Sequence, residues 1–270
     1  MKIRELIEQL ETWHAPLELY EDSGRDRVLY GNADQVCTGY VTCIWADLNV
    51  IQNAISLGAN LIICHEALFW NHGDETQWLK DNPVFQIKSQ LIDEHQICVY
   101  RDHDHIHAGI PVNGSFKDGI FLGLSERLGW SAYQKNTHMP VAYEIPEMSL
   151  TDIADLFKRS LHLKQIRTAG DPDTRIKRII VCMHLFGQAG DRDWIRRNDY
   201  DLLVAGETVD YSVVEYLQDV SFTSQKMAMI MPGHFKLEEP GMEYLHARMK
   251  ELFPDLPSMF CETRHLYGYL

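Results

Sequence analysis

The sequence predicts an α/β protein arranged as two lobes of alternating strands and helices. Three observations carry that prediction. Short β-prone apolar runs alternate with stretches whose apolar residues recur at helical spacing. Several of those runs lead straight into clusters of histidine and carboxylate residues, and the carboxyl ends of strands are where open α/β sheets bind ligands. No repeat of fixed period and no low-complexity tract competes with this reading.

The elements follow in order. Ile3, Leu6, Ile7, Leu10 and Trp13 have helical spacing. Residues 14–35, with Pro16, Gly24, Gly31 and Asn32, read as a loop with a short strand near Val28–Tyr30. Tyr40–Trp45 is β-prone; Asp47 then caps a helix to about Leu57, which Gly58 closes. Asn60–Cys64 is the next strand, so a β–α–β unit ends at His65 and Glu66. A helix from Pro83 to about His95 and a strand Ile97–Tyr100 lead into RDHDHIHAG, residues 101–109. Lys117–Leu128 reads as a helix stopped by Gly129.

A second half begins near 130. Strands are expected at Met139–Ile145, Ile166–Ala169, Ile176–Met183, Asp201–Ala205 and Met227–Met231. Helices are expected after Ser149 to Leu161, at Asp191–Arg197, at Thr208–Gln218 and from about Pro240 to Leu252, with a final strand near Met259. The expected organisation is a first lobe of 1–130 with 226–270 and a second of 131–225.

Composition bounds the function. With 270 residues, 45% apolar and 24% charged, the chain is ordinary for a globular protein and long enough for one large or two smaller cores. A net charge of −14 argues against nucleic acid or an anionic membrane surface as the main partner, since both call for basic patches. No apolar run approaches a membrane span, and MKIRELIEQLETW lacks the apolar core of a signal peptide. The cysteines form no C-x-x-C pair and most sit in strand-like runs, as expected of reduced, buried thiols in a cytoplasmic protein. Cys64 alone adjoins a candidate site, and no local motif supports a thiol ligand or nucleophile there.

Three clusters hold the candidate chemistry: His65–Glu66, His103-Asp104-His105-Ile106-His107, and Gly233-His234 with Glu238. Each has an ordinary reading: a strand end with a satisfied core histidine, a solvated polar loop, a surface i, i+4 pair. An extended backbone over 103–107 would put His103, His105 and His107 on one face. Imidazole nitrogen and carboxylate oxygen suit zinc, iron, manganese, cobalt or nickel. Two such ions about 3.5–4 Å apart take terminal histidines and bridging carboxylates. Three such clusters at strand ends favour one metal site over three coincidences.

The order GANLIICHEALFW, then a strand ending in a His-rich turn, then GHFKLEEPGMEYL, resembles the Nif-three-like dinuclear metal-centre family, whose members are often labelled GTP cyclohydrolase I type 2. DLLVAGE at 201–207 also resembles that family's strand leading into T-G-E or T-G-D. The resemblance spans nearly the whole chain and is faint in 14–35 and 131–175. It implies two α/β lobes with mixed sheets flanked by helices. Where the family has G-A-D-L-I-I-T-H-H-P-L, this chain has Cys64, His65, Glu66 and Ala67 in place of T-H-H-P. Where the family has H-T-N-L-D, His103 takes the His position and His107 the Asp position; His234 and Glu238 match directly. One histidine has become a carboxylate and one carboxylate a histidine.

The implied ligand set is His65, Glu66, His103, His107, His234 and Glu238, holding two divalent transition-metal ions. Asp102, Asp104 and His105 have no family counterpart and are candidates to orient ligating imidazoles. His72, His138, His162, His246 and His265 read as surface or ordinary structural histidines. MHLFGQAG, with His184 inside it, replaces the family's Gly-rich turn, and Thr208–Tyr211 stands where the family often has basic residues or His. The expected function is metal-dependent hydrolysis of a small-molecule substrate, with a non-catalytic metal-binding regulatory or scaffold protein as the alternative. The resemblance implies a ring-like homo-oligomer, commonly a hexamer. Neither G-x-x-x-x-G-K-[ST] nor G-x-G-x-x-G occurs, so no nucleotide-specific loop is recognised.

Overall fold

The fold comes from a computed structural model that describes residues 1–19, 23–185 and 188–268, without the side chains of 19 and 188–191. Its elements, in chain order, begin with α1 (Ile3–Trp13), β1 (Arg27–Tyr30), β2 (Tyr40–Cys43), α2 (Leu48–Leu57), β3 (Leu61–Cys64), α3 (Pro83–Glu94) and β4 (Cys98–Arg101). Next come α4 (Asp104–Ala108), β5 (Ile110–Val112), β6 (Ser115–Lys117), α5 (Gly119–Arg127), β7 (Val141–Ser149), α6 (Leu150–Ser160), β8 (Arg167–Ala169) and β9 (Arg175–Leu185). The chain finishes with α7 (Gln188–Arg196), β10 (Leu202–Thr208), α8 (Glu215–Val220), β11 (Ala228–Met231), α9 (His234–Leu252) and β12 (Ser258–Cys261). They form two compact units, Met1–Gly123 with Gly241–Leu270, and Leu124–Pro240.

The first unit is built on a five-stranded mixed sheet ordered β1-β4-β3-β2-β12. β4, β3, β2 and β12 run parallel, and β1 pairs antiparallel with β4. Every residue of β2, β3 and β4 is buried, as expected of parallel strands covered on both faces. Burying each Ile or Val of these strands contributes roughly 1.5–3 kcal/mol. The β2–α2–β3 unit forms as expected. The Asp47 carboxylate accepts from Val50 N at 2.8 Å, and Gly58 closes the helix in the left-handed region at φ 73°. Asn82 caps α3 by accepting from Val84 N and Phe85 N, with Pro83 at the first helical position.

The second unit carries a mixed sheet ordered β7-β9-β10-β11-β8. β9, β10 and β11 are parallel neighbours, and β7 and β8 flank them antiparallel. Ser149 caps α6 by accepting from Asp152 N at 3.1 Å. Around this sheet Ile180, Leu203, Ala205, Leu217 and Met229 pack into one core.

The structure departs from expectation in several places. β11, expected with the first lobe, is hydrogen-bonded between β10 and β8 of the second. A helix was expected over Thr208–Gln218. Instead β10 continues to Thr208, and helix resumes only at Glu215 after non-helical Tyr211 and Ser212. Lys117 ends a short antiparallel hairpin, β5 with β6, rather than opening a helix. Finally, α9 begins at His234, six residues before Pro240. Of MHLFGQAG, Phe186 and Gly187 lie outside the described residues.

Candidate metal centre

In the first unit the site grows from the carboxyl ends of β3 and β4, which are parallel neighbours with Cys64 opposite Arg101. His65 follows β3 and His103 follows β4, so the two imidazoles meet at the same edge. Their rings stack 4.5 Å apart at 9°. His107 lies 5.1 Å from both rings, and the ligand atoms of the three lie within 4.8 Å of one another.

His107 gets there because residues 104–108 are helical, not extended. In α4, His103 at the N-cap and His107 four residues on share a face, while His105 points elsewhere. The helix is held by a distant residue. The Asp26 carboxylate accepts from the backbone N–H groups of His103, Asp104 and His105 at 2.6, 2.7 and 2.7 Å. It also accepts from His105 Nδ1 at 2.6 Å, which turns that ring away from the other two.

Each of the three clustered imidazoles has Nδ1 on an oxygen. His65 Nδ1 donates to the Asp102 carbonyl at 3.0 Å, His103 Nδ1 to Asp104 Oδ1 at 3.0 Å, and His107 Nδ1 to Asp118 Oδ2 at 2.9 Å. An imidazole held in this way presents its Nε2 lone pair, the arrangement that supports metal-ligating histidines. Asp104 and Asp102 thus hold imidazoles as expected, Asp102 through its carbonyl rather than its side chain; His105, the third residue expected to do so, is bound to Asp26 instead. Asp118 was not anticipated. Burial pushes the His65 pKa well below its usual value, and His103 and His107 push the same way. Burial would raise the Asp104 carboxyl, but hydrogen bonds from His103, Ser23 and Arg25 outweigh it and hold it well below the usual range.

Glu66 is buried beside fully buried Arg101, whose Nη2 donates to Glu66 Oε2 at 3.2 Å. Arg101 also donates to the carbonyls of His65 at 2.9 Å and His72 at 3.0 Å, pinning the backbone around the pair. Cys64 is no ligand candidate here: its Sγ faces the Tyr100 carbonyl at 3.6 Å, and burial pushes the thiol up to about 12. His72 is exposed, with its ring 6.2 Å from that of His103.

In the second unit three parallel neighbours, β9, β10 and β11, end within three residues of His184, Glu207 and His234. Glu207 stands opposite His184 in the β9–β10 register. Gly233, at φ +96°, turns the chain from β11 into α9. His234 and Glu238 are then i, i+4 on the first turn, with Nε2 and Oε2 3.1 Å apart. Gly206 permits the close approach of this turn: a Cβ there would lie 2.8 Å from Met183 Cε and 3.3 Å from His234 Cα. Glu207 Oε1 accepts from His234 Nδ1 at 2.9 Å, and Oε2 from His184 Nδ1 at 3.3 Å. The hydrogen bond from His234 lowers the Glu207 pKa.

The structure therefore assembles His65, His103 and His107 with Glu66 close by in one unit, and His234 with Glu238 in the other. The sequence reading missed Asp26, Asp118 and the His184–Glu207 pair as parts of these clusters. The only local signal was for Glu207, which ends the recognisable DLLVAGE strand.

Comparison with known proteins bears on these clusters. The sequence profile of the Duf34/NIF3 (NGG1p interacting factor 3) family matches residues 1–265. Two curated relatives, each called a GTP cyclohydrolase 1 type 2 homolog, come from Clostridium acetobutylicum and Clostridium perfringens. The first is 23% identical over 261 residues, covering 93% of this chain and 90% of the relative. The second is 24% identical over 264 residues, covering 93% and 92%. Among solved structures, a Staphylococcus aureus hypothetical protein superposes with a TM-score of 0.74 at 19% identity, covering 100% of this chain and 99% of that one. A Bacillus cereus protein related to NIF3 gives 0.71 at 14% identity, with the same coverage. At such identities these structures speak for the fold alone.

Proposed function

The chain belongs to the Duf34/NIF3 family, and from that premise we propose that it binds two divalent transition-metal ions and uses them in hydrolysis. The observation that carries the proposal is the trio of His65, His103 and His107, each with Nδ1 anchored on an oxygen and Nε2 presented for coordination. The proposed ligand set is these three with Glu66, His234 and Glu238.

The residues present fit such ions. Neutral imidazole and carboxylate donors suit zinc, iron, manganese, cobalt or nickel. The 3.1 Å between His234 Nε2 and Glu238 Oε2 matches the roughly 3.0–3.4 Å between neighbouring donors on one ion with bonds of about 2.1 Å. Bound ions would make a coordinated water acidic near neutral pH and polarise a phosphoryl, acyl or ring-carbon centre. The protein's own part is preparation. Asp104, Asp118 and the Asp102 carbonyl hold each Nδ1 proton in place, so the imidazoles need no rearrangement to coordinate. Arg101 fixes the Glu66 carboxylate and the backbone beneath it. The name shared by the two Clostridium relatives points to ring opening of a purine nucleotide, and a ring-carbon centre is therefore among the substrates to try.

The test is elemental analysis of the purified protein, followed by a screen of phosphoesters and cyclic amides with and without chelator. Two ions per chain in the wild type are expected, with loss in His65→Ala and in His234→Ala. Unchanged stoichiometry in both variants would refute the ligand set. Turnover that survives chelation removes the metallohydrolase reading. Full metal content with no turnover favours the non-catalytic regulatory or scaffold role. We further propose a cytoplasmic, ring-like homohexamer, which mass photometry of the full chain checks directly.

A further inference from the structure

We propose that His184, Glu207 and the Nδ1 edge of His234 form a separate outer site for one exchangeable divalent transition-metal ion. The site shares His234 with the dinuclear centre proposed above but needs none of its other ligands. It lies wholly within the second unit, at the carboxyl ends of three adjacent parallel strands, the position where α/β sheets bind ligands.

The geometry is that of a chelating set. The Glu207 carboxylate stands between two imidazoles whose Nδ1 atoms both face it, at 2.9 Å for His234 and 3.3 Å for His184. The two rings lie 5.2 Å apart, and the three ligand atoms lie within 4.8 Å of one another. One ion with bonds of about 2.0–2.2 Å spans such separations after small side-chain rotations. Two nitrogens and a carboxylate select zinc, cobalt, nickel or copper over magnesium or calcium. The set is also accessible: the His184 and Glu207 side chains are 48% and 43% exposed. Water can complete the coordination, and the ion can exchange.

Protons balance. Each imidazole keeps a single proton, which passes from Nδ1 to Nε2 as the ion takes its place. For His234 the new Nε2–H has an acceptor already in position, Glu238 Oε2 at 3.1 Å. His234 thus has a carboxylate on each edge, and the two tautomers serve opposite sides. An ion on Nδ1 commits Nε2 to Glu238 as a donor, so the outer ion competes with any use of Nε2 as a ligand.

The experiment uses full-length protein, desalted so that only tightly held ions remain. It is then titrated with zinc in competition with a chromophoric chelator. Wild type is expected to bind one exchangeable ion per chain, either beside the tightly held ions or in place of one that uses His234 Nε2. His184→Ala and, as an isosteric check, His184→Asn are expected to weaken it at least about tenfold. The count of tightly held ions should stay unchanged, since His184 lies outside the dinuclear ligand set. Thermal unfolding of metal-free protein confirms that both variants are folded. Wild type without the exchangeable ion, or variants that bind it with wild-type affinity, overturn the proposal. If no tightly held ions are found, the dinuclear reading fails, while the His184-dependent ion still decides this one.

Discussion

Asp118→Asn separates metal binding from folding more cleanly than removing a ligand. Asp118 is buried and has two tasks. Its Oδ2 accepts from His107 Nδ1 at 2.9 Å, and its Oδ1 caps α5 by accepting from Ile120 N and Phe121 N at 3.0 and 3.3 Å. Alanine would lose both. The missing cap costs about 1 kcal/mol, and the stranded imidazole N–H about 1–3 kcal/mol more. Asparagine keeps the cap with its oxygen and turns its NH2 towards His107. Nδ1 must then accept, the proton moves to Nε2, and the nitrogen proposed to bind the metal becomes a donor. Losing such an orienting partner typically lowers metal affinity 10–100-fold, or about 1.4–2.8 kcal/mol. Metal-free Asp118→Asn should therefore unfold in urea close to wild type, and its zinc affinity, read by chelator competition, should fall by that factor. Wild-type zinc affinity in a folded Asn variant would show that the His107 tautomer does not matter, and with it that His107 is not a ligand.

Three further outcomes follow from the same geometry. Asp26→Ala removes the acceptor of four N–H groups; at roughly 1–3 kcal/mol for each one left buried, stability should drop by at least about 3 kcal/mol and metal content with it. A denaturant midpoint within error of wild type would refute that role for Asp26. Burial pushes the His14 pKa down to about 4, against the pull of its hydrogen bond to the Leu10 carbonyl. The unfolded chain therefore binds the extra proton as pH falls below about 6.5, and stability should fall between there and about 4, by up to about 3 kcal/mol. His14→Gln should flatten that part of the pH–stability curve, and parallel curves for the two proteins would contradict it. Chelation should lower the unfolding temperature of the metal-loaded protein, since a ligand at 1,000 times its Kd stabilises by about 4 kcal/mol; an unmoved transition would mean that no ion is bound to the folded state.

Much of this could be read from the sequence, for identifiable reasons. The β2–α2–β3 unit was legible because its signals are local: a capping Asp47, a closing Gly58, and an uninterrupted apolar run to Cys64. The strand ends at His65 and His103 were legible for the same reason. Residues 103–107 were not, because their helix depends on Asp26, 77 residues away in sequence. Asp118 was hidden in the same way: it looks like any helix cap until tertiary structure brings His107 to it. The His184–Glu207 pairing exists only through the β9–β10 register, which no local pattern specifies. β11 was misplaced because a strand buried on both faces carries no alternation to say which sheet it joins.

If, as the resemblance implies, a histidine and an acid have traded places at 66 and 107, the partners of Glu66 supply a physical reason. His107 in the position of an acid gives the first unit three imidazoles, each neutral when it offers Nε2. Fully buried Arg101 still needs an anion within reach of its guanidinium. Glu66 supplies it, with Oε2 3.2 Å from the guanidinium. A buried cation left without its partner typically costs about 3–5 kcal/mol, so a neutral residue at 66 would carry a penalty in folding as well as in binding. Glu66→Gln keeps the shape and an acceptor for Arg101 but removes the charge. If Glu66 only balances Arg101, metal-free stability falls and zinc affinity, measured on the folded fraction, holds. If Glu66 is also a ligand, both fall. Unchanged stability together with unchanged affinity would mean that the two substitutions are unrelated, and that the site is not a rearranged version of the family's.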